Sequence, residues 1–343
     1  MTSLIAPHPC PRIPPLHCLL VMMLGVAQTQ LLRVAAEIGI ADLVKDGHQS
    51  IDTLAAATGT DALALARVLR GLVGIGVLAE TAPQQFAGTS LSALLQRDHP
   101  SSLRDYAVVM GSDWAHNTWS QFPQSVQTGE SGFEALFGQP CYPYLQNRPA
   151  DLAVFNAAMT ALSKQESTAL QEAFDFSECR TVVDVGGGQG LLLATLLRSN
   201  PALRGVLLDL PKVIEGARTV LEAELASGRC EIVGGDFMTA VPAGGDVYIL
   251  KRILMDRDDT QARRVLGHIR EAMHPNGCVL VADPDPTTQY GPLLDIMMLV
   301  VFGSGGRIRS EAELSELFAS SDFILTRAVS TPPTLRMVEG VAV

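Results

Sequence analysis

The chain has 343 residues, 47% of them hydrophobic and 18% charged, which excludes a disordered chain and gives enough length to bury a sizeable core in one large domain or two ordinary ones. Its formal net charge of -11 argues against a nucleic-acid polyanion as partner. The six cysteines, Cys10, Cys18, Cys141, Cys179, Cys230 and Cys278, stand apart from one another; that is neither a disulfide framework nor a zinc pattern, and it suits a reducing, cytoplasmic compartment with no bound metal.

Residues 1–15 are rich in proline and read as an irregular arm. The apolar run 16–27 is too short to span a bilayer. Its helical spacing continues through Gln28–Val44, so it reads as the start of a domain helix over 19–44, with a cleaved secretory signal as the alternative. Ser50 opens a capped helix that ends at Gly59, and Asp61 caps a third helix. Turn residues among short apolar pieces over 77–91 predict a β-hairpin. Three helices and a hairpin are the order of a winged-helix unit. Its functional reading is DNA binding, but the third helix offers only Arg67 and Arg70 as basic contacts. Its other reading is dimerisation.

The segment 100–176 is helical but interrupted. It carries Trp114, Trp119, Tyr106, Tyr142, Tyr144, Phe122, Phe133, Phe137 and Phe155, and it reads either as core or as a substrate wall. From Arg180 onward strands and helices alternate: strands TVVDV, RGVLLDL, CEIVGGD, DVYILKRIL and GCVLVAD, helices at 191–200, 213–228, 259–273 and 311–318, then late strands at 323–329 and 335–341. This pattern predicts a parallel, doubly wound sheet with ligand at the carboxyl ends of its strands. The expected division is an N-terminal domain over 1–99, a helical linker and substrate wall over 100–176, and a cofactor-binding domain over 177–343.

TVVDVGGGQG, residues 181–190, carries the chemistry. A short strand ends in Asp184-Val185 and is followed by four glycines in five positions and an apolar helix. Such a turn lets a ligand lie against bare backbone at a helix N-terminus. Gly186 and Gly188 fit the first two positions of a dinucleotide fingerprint, but Leu191 occupies the third, and no Gly-Lys-Ser/Thr follows for a phosphate. Asp209, with Leu210 after it, ends the next strand where a carboxylate accepts from ribose hydroxyls. Asp236-Phe237 ends the one after, an acceptor for an exocyclic amine beside a ring that lies on a purine face. Together these describe a nucleoside pocket without a pyrophosphate.

VVDVGGGQG, LLDLPKV, GGDF, DVYILKRIL with the acidic run after it, and EAMHPNG resemble the class I S-adenosylmethionine-dependent O-methyltransferases that act on small molecules, the plant caffeate type and its bacterial natural-product relatives. SGFEALFG and YPYL resemble the phenazine-methylating branch. The resemblance spans nearly the whole chain. It implies an α/β fold, a Rossmann-like doubly wound methyltransferase sheet with an N-terminal, all-helical winged-helix dimerisation domain, and S-adenosylmethionine as cofactor. It implies Asp184, Gly186 and Gly188 at the methionine part, Asp209 and Leu210 at the ribose, Asp236 and Phe237 at the adenine, Lys251 near the adenine edge, and a homodimer through the N-terminal module.

The catalytic pattern of the family breaks in two places. Its members carry Lys-x-x-x-His-Asp-Trp, with the histidine as general base; here KRILMDR puts Met255 at the histidine and Arg257 at the tryptophan. Where a glutamate orients that histidine, this chain has Ile308, and the second orienting carboxylate maps to Asp283. General base catalysis contributes about 10²–10⁴-fold, so its loss leaves three readings: transfer by proximity to an acidic hydroxyl or a ring nitrogen, a replacement base, or a methyltransferase fold doing other chemistry as a pericyclase or hydroxylase-like enzyme. His116, in the aromatic segment, and Asp256 are the candidate replacement bases. Trp114, Met159, Met255, Met298 and Phe302 are the expected apolar wall around a flat acceptor, with Asp295 as a polar contact in it. The sequence thus predicts a methyltransferase acting on an aromatic or polyketide-like small molecule, with O-methylation ahead of N- or C-methylation and a DNA-binding regulator last.

Overall fold

The structure is a computed structural model that describes residues 14–331 and 334–343. All but the last two residues of the proline-rich arm lie outside that range. The chain divides into two compact units, one ending at Ser112 and the other running from Asp113 to Val343.

In the first unit the helical run expected over 19–44 is three helices, Pro15–Met23, Gly25–Ile38 and Ile40–Leu43. The last break falls at Gly39, whose φ of 72° lets the backbone turn left-handed and close the preceding helix. Ser50 and Asp61 cap their helices as expected, accepting from the Thr53 and Ala64 amides at 3.1 and 2.8 Å. The hairpin is β2 (Leu78–Ala82) and β3 (Gln85–Gly88), and the pair β1 (Gln49–Ser50) joins it as an antiparallel third strand on the β3 side. Leu54, Leu69, Leu72 and Phe86 form the centre of this unit's core. The helix Arg104–Gly111 packs on Gly25–Ile38, and Arg33 and Gln30 donate to the Gly111 carbonyl at 2.6 and 3.0 Å. On the first helix Leu19, Leu20, Met22 and Met23 are exposed. Among the described residues no single helix is long and apolar enough to cross a membrane, and only the bent pair Pro15–Met23 and Gly25–Ile38 matches such a span in length and composition.

The second unit is built on a seven-stranded sheet ordered β6-β5-β4-β7-β8-β10-β9, with β4 Thr181–Val185, β5 Arg204–Asp209, β6 Cys230–Gly234, β7 Val247–Lys251, β8 Cys278–Pro284, β9 Phe323–Thr331 and β10 Leu335–Ala342. The five strands β6 to β8 are parallel; β10 is antiparallel to both β8 and β9. The reversal follows from the connection: β9 and β10 are separated by three residues, long enough for a hairpin and too short for a crossover helix. Side chains alternate between two cores, Val183, Tyr248 and Leu250 on one face with Leu266, Ile269 and Phe318, and Val182, Val247 and Ile249 on the other with Leu193 and Leu197. Both faces are covered, as parallel strands require. The helix expected over 213–228 is a 3-10 turn and two short helices, Ala217–Val220 and Glu222–Ala226.

Strand order reverses direction at β4, with β5 on one side and β7 on the other, so the carboxyl ends of β4 and β7 form the switch point where such sheets bind ligands. One buried carboxylate holds the cover over that point. Glu166, on the helix Pro149–Ala173, accepts from Arg252 Nη2 at 2.6 Å and from Lys251 Nζ at 3.4 Å. Arg252 reaches it from a left-handed backbone, φ 57°, at the end of β7. Burial opposes the charge on Glu166, but Arg252 and Lys251 outweigh it and hold the carboxyl below its ordinary range. Glu166→Gln leaves two buried cations short of an anion and is expected to lower stability by about 3–5 kcal/mol near neutrality. Because the depressed group stabilises only while ionised, the difference shrinks as pH falls through the carboxylate range; urea midpoints of both proteins across pH measure it.

Candidate active site

The turn after β4 is shaped by three left-handed glycines, Gly186, Gly188 and Gly190, with φ of 70°, 62° and 79°. Space restricts Gly186 as well, since a side chain there runs into Ile253 and comes within 3.3 Å of the Phe237 ring. Asp209 at the end of β5 is fixed beneath the turn: its Oδ2 accepts from the Gly188 amide at 2.8 Å and its Oδ1 from the Leu210 amide at 2.7 Å. Burial raises its pKa and the two backbone donors oppose that rise. Each oxygen keeps a lone pair for a ligand hydroxyl. Asp184 lies under Gly187, fully buried, with Oδ2 lacking a hydrogen-bond partner among the described residues. Burial lifts it from 3.8 to about 7, against the pull of Lys251.

Asp236 is exposed and spends one oxygen on the Met238 amide at 2.8 Å, leaving the other free to accept. Phe237 is buried beside Gly186 and Ile253. Its carbonyl accepts from His268 Nδ1 at 3.0 Å, so the helix Asp259–Ala272 supports this corner. Lys251 is held from the covering helix: its ammonium donates to Ser163 at 2.5 Å and acts on Asp184, beneath the turn. The strand's last residue is simply drawn to the Glu166 carboxylate. The same covering helix touches the turn through Thr160, which donates to Gln189 at 3.3 Å.

Met255 is buried on the turn Leu254–Asp256 and packs with Leu294, Met298 and Ile308, with Phe302 at the edge of the cluster. The two positions where the family pattern fails therefore meet in space as one apolar patch. Asp295 is half-buried beside this patch, and its Oδ1 accepts from the Ile308 amide at 2.7 Å and anchors that loop to the helix Gly291–Phe302. Arg309 completes the anchorage from a buried position, donating to the carbonyls of Leu254 and Arg257 at 2.5 and 2.8 Å and to Asp259. Trp114 is buried edge-on against Phe133 and Phe155, so it backs the wall. Met159 is half-buried on the covering helix, one turn from Phe155 and one from Ser163.

Of the candidate catalytic residues, the structure brings two together: Asp256, a candidate base, and Asp283, the expected orienting carboxylate, are buried, each with an Oδ1 that has no hydrogen-bond partner among the described residues. Asp283 is lifted from 3.8 to about 7 by burial and then by Asp256. Asp256 is raised by burial, with Arg257 and the Tyr142 hydrogen bond opposing. His116 is not part of this group; it sits half-buried on the short helix Asp113–Thr118, which packs on Gly132–Phe137. The residue the sequence concealed is Tyr142, whose hydroxyl donates to Asp256 Oδ2 from 114 positions away. Its ring stacks on Phe302 at 5.9 Å and meets Phe155 edge-on at 6.3 Å. Arg257 lies over the Tyr142 and Phe237 rings at 5.6 and 5.5 Å.

A glycine turn at the switch point, a ribose-type carboxylate on the next strand and an acidic-aromatic pair on the one after define a nucleoside-binding α/β enzyme. Residues 119–324 match an O-methyltransferase domain and residues 20–98 an O-methyltransferase dimerisation domain. The chain belongs to this O-methyltransferase family, and S-adenosylmethionine is the cofactor of its methyl transfer. It is 42% identical over 332 residues to the phenazine O-methyltransferase PhzM of Lysobacter antibioticus, with 96% of each chain covered. It superposes on the crystal structure of LaPhzM with a TM-score of 0.89 at 41% identity, covering 96% of this chain and 100% of that one. It is also similar to an O-methyltransferase of neocarzinostatin biosynthesis, solved with S-adenosyl-L-homocysteine and 1,4-dihydroxy-2-naphthoic acid, with a TM-score of 0.78, 31% identity and 92% and 96% coverage. The residues present fit the cofactor: Asp209 is pre-aimed by two backbone amides, the orphaned Asp184 oxygen lies under the turn, and only glycine fits at 186.

Asp283 holds its proton in the folded chain over a range where the unfolded chain has already released it. Its contribution to stability therefore falls as pH rises from about 4 to about 7, by an amount on the order of 4 kcal/mol at most. Asp283→Asn is expected to flatten that decline, measured as the difference between wild-type and variant urea midpoints across the window.

Proposed function

We propose that this enzyme methylates a hydroxyl of a planar aromatic or nitrogen-heteroaromatic small molecule of secondary metabolism, working as a cytoplasmic homodimer paired through its N-terminal unit. The observation that carries the reading is the apolar patch of Met255, Ile308, Met298 and Phe302 beside the glycine turn's strand ends, a surface for the face of a flat ring. The similarity to a phenazine O-methyltransferase supports the same acceptor class. The exposed leucines and methionines of Pro15–Met23, on a chain with a matching dimerisation domain, support the homodimer.

In this reading Asp209 and Leu210 hold the ribose, Asp236 and Phe237 the adenine, and Gly186 and Gly188 with Asp184 the methionine part. The cofactor, when bound, supplies an electrophilic methyl group on a sulfonium. The chain's first contribution is position. Holding the acceptor oxygen in line with the methyl is worth roughly 7–11 kcal/mol without any proton transfer. With Met255 in place of the histidine, acidic hydroxyls are favoured, and a ring nitrogen with a free lone pair is the second acceptor the site suits.

Incubation with methyl-labelled S-adenosylmethionine and a panel of hydroxylated phenazines and naphthols tests the reading. Label on oxygen is the expected outcome, label on ring nitrogen supports the second acceptor, and cofactor binding with no label transferred to any of them overturns the proposal. Asp209→Ala is expected to weaken S-adenosylhomocysteine binding at least tenfold by calorimetry. It removes the paired ribose contacts, which roughly a 1.4 kcal/mol loss already explains.

A further inference from the structure

Loss of the family histidine removes a base, yet a hydroxyl acceptor still has a proton to give up. Four observations meet where that proton leaves. Tyr142 belongs to the acceptor wall, its ring stacked on Phe302 and edge-on to Phe155. Its hydroxyl donates to Asp256 Oδ2. Asp256 is the residue after Met255, on the same short turn, and is itself buried. Its second oxygen, Oδ1, is buried with no hydrogen-bond partner among the described residues. The turn is rigid, because Arg309 and the Arg307 amide pin the Leu254, Met255 and Arg257 carbonyls.

We propose that Tyr142 and Asp256 replace the histidine: Tyr142 takes the acceptor's hydroxyl proton while passing its own to Asp256 Oδ2. This rests on the O-methyltransferase reading above. The balance closes. The acceptor oxygen gains the methyl carbon, whose bond to sulfur breaks and leaves its electron pair there. The acceptor's O–H bond breaks, a new O–H bond forms on Tyr142, and the former Tyr142 proton neutralises the Asp256 carboxylate. The positive charge on sulfur and the negative charge on Asp256 are both cancelled, so no net charge is created in a buried site.

The surroundings suit a proton acceptor. The groups acting on Asp256 are Tyr142 from the helix Cys141–Gln146, Arg252 at the end of β7, Arg257 next in the chain, and Asp283 from β8, with Arg309 and Arg336 acting on Asp283 in turn. Arg257, Arg252 and the Tyr142 donor favour the Asp256 anion before transfer, while burial raises its affinity for the proton that arrives. Asp283, pushed up to about 7 by burial and then by the Asp256 charge, is held toward its neutral form beside that carboxylate.

Tyr142→Phe keeps the ring packing and Asp256→Asn keeps the shape, so each removes only the proton path. Both are compared with wild type on 1-naphthol, a weak acid, and on a nitro-substituted naphthol already ionised at the assay pH. A relay predicts a loss of kcat of about 10²–10⁴-fold on 1-naphthol, with KM within about threefold, and kcat within about threefold on the ionised acceptor. Equal losses on both acceptors, or none on either, overturn it. A second measurement needs neither cofactor nor turnover: the Asp256 carboxyl band in the infrared, assigned with Asp256→Asn, is followed across pH in wild type and Tyr142→Phe. Asp256 is expected to be ionised at pH 8 and to titrate at higher pH once the Tyr142 donor is gone. A protonated Asp256 at pH 8, or an unchanged titration in Tyr142→Phe, overturns the relay. Failure of wild type on both naphthols and on every hydroxylated phenazine of the panel above refutes the methyl-transfer reading instead, and the infrared result then decides the Tyr142–Asp256 pair alone.

Discussion

The hydrogen bond from the Gly188 amide to Asp209, 2.8 Å long, joins the two features on which the site depends. One end belongs to a backbone that only glycine adopts without strain, the other to a carboxylate delivered by a neighbouring parallel strand. The bond forms only if β4 and β5 stop in register, and their pairing runs without a break from Thr181 opposite Arg204 to Val185 opposite Leu208. Everything that meets the cofactor hangs from this junction. The turn sets where the ligand lies, and the strand ends on either side set which groups reach it.

A second layer of order comes from charges that are buried and compensated. Glu166 ties the covering helix to the end of β7, and Arg309 ties the Met255 turn to the loop of Ile308 and Asp259. These arginines and carboxylates sit where loops converge and where a purely apolar interior would leave carbonyls without donors. Burying an ion pair is seldom a net gain in stability against well-packed apolar groups. What these pairs do is fix the geometry of loops that carry the reacting surface. The same interior leaves Asp184, Asp256 and Asp283 with unpartnered oxygens, and unsatisfied acceptors at strand ends facing a ligand site are where such a cost is tolerated.

The replacement at Met255 and Ile308 has a physical logic once both are seen in one cluster. A histidine next to an isoleucine leaves one ring nitrogen unoriented, and a glutamate next to a methionine is a buried charge without a partner. Changing both yields a continuous apolar surface with no stranded polar atom. In the proposed relay the chemistry that the histidine serves elsewhere in the family falls to Tyr142, from another helix, and to Asp256 on the same turn as Met255.

The sequence by itself determined the fold and the cofactor, and it marked the strand-end residues proposed to hold that cofactor. Alternating strands and helices, a glycine turn, and acidic residues at three successive strand ends are local patterns, read within a few residues each, and the structure places them at one end of the sheet as topology requires. It also showed that the family's base and its orienting partner are missing. What only the tertiary structure decided lies in contacts between distant segments. Lys251 turns to Glu166 across 85 positions, Asp295 holds the Ile308 amide, His116 stays on its own short helix, and Tyr142 meets Asp256 across 114. None of these has a sequence period or spacing, because each depends on which side chains two separately specified elements happen to present to each other. The direction of the last two strands was open for a related reason: pattern identifies a strand, and the length of the connection between β9 and β10 fixes which way it runs.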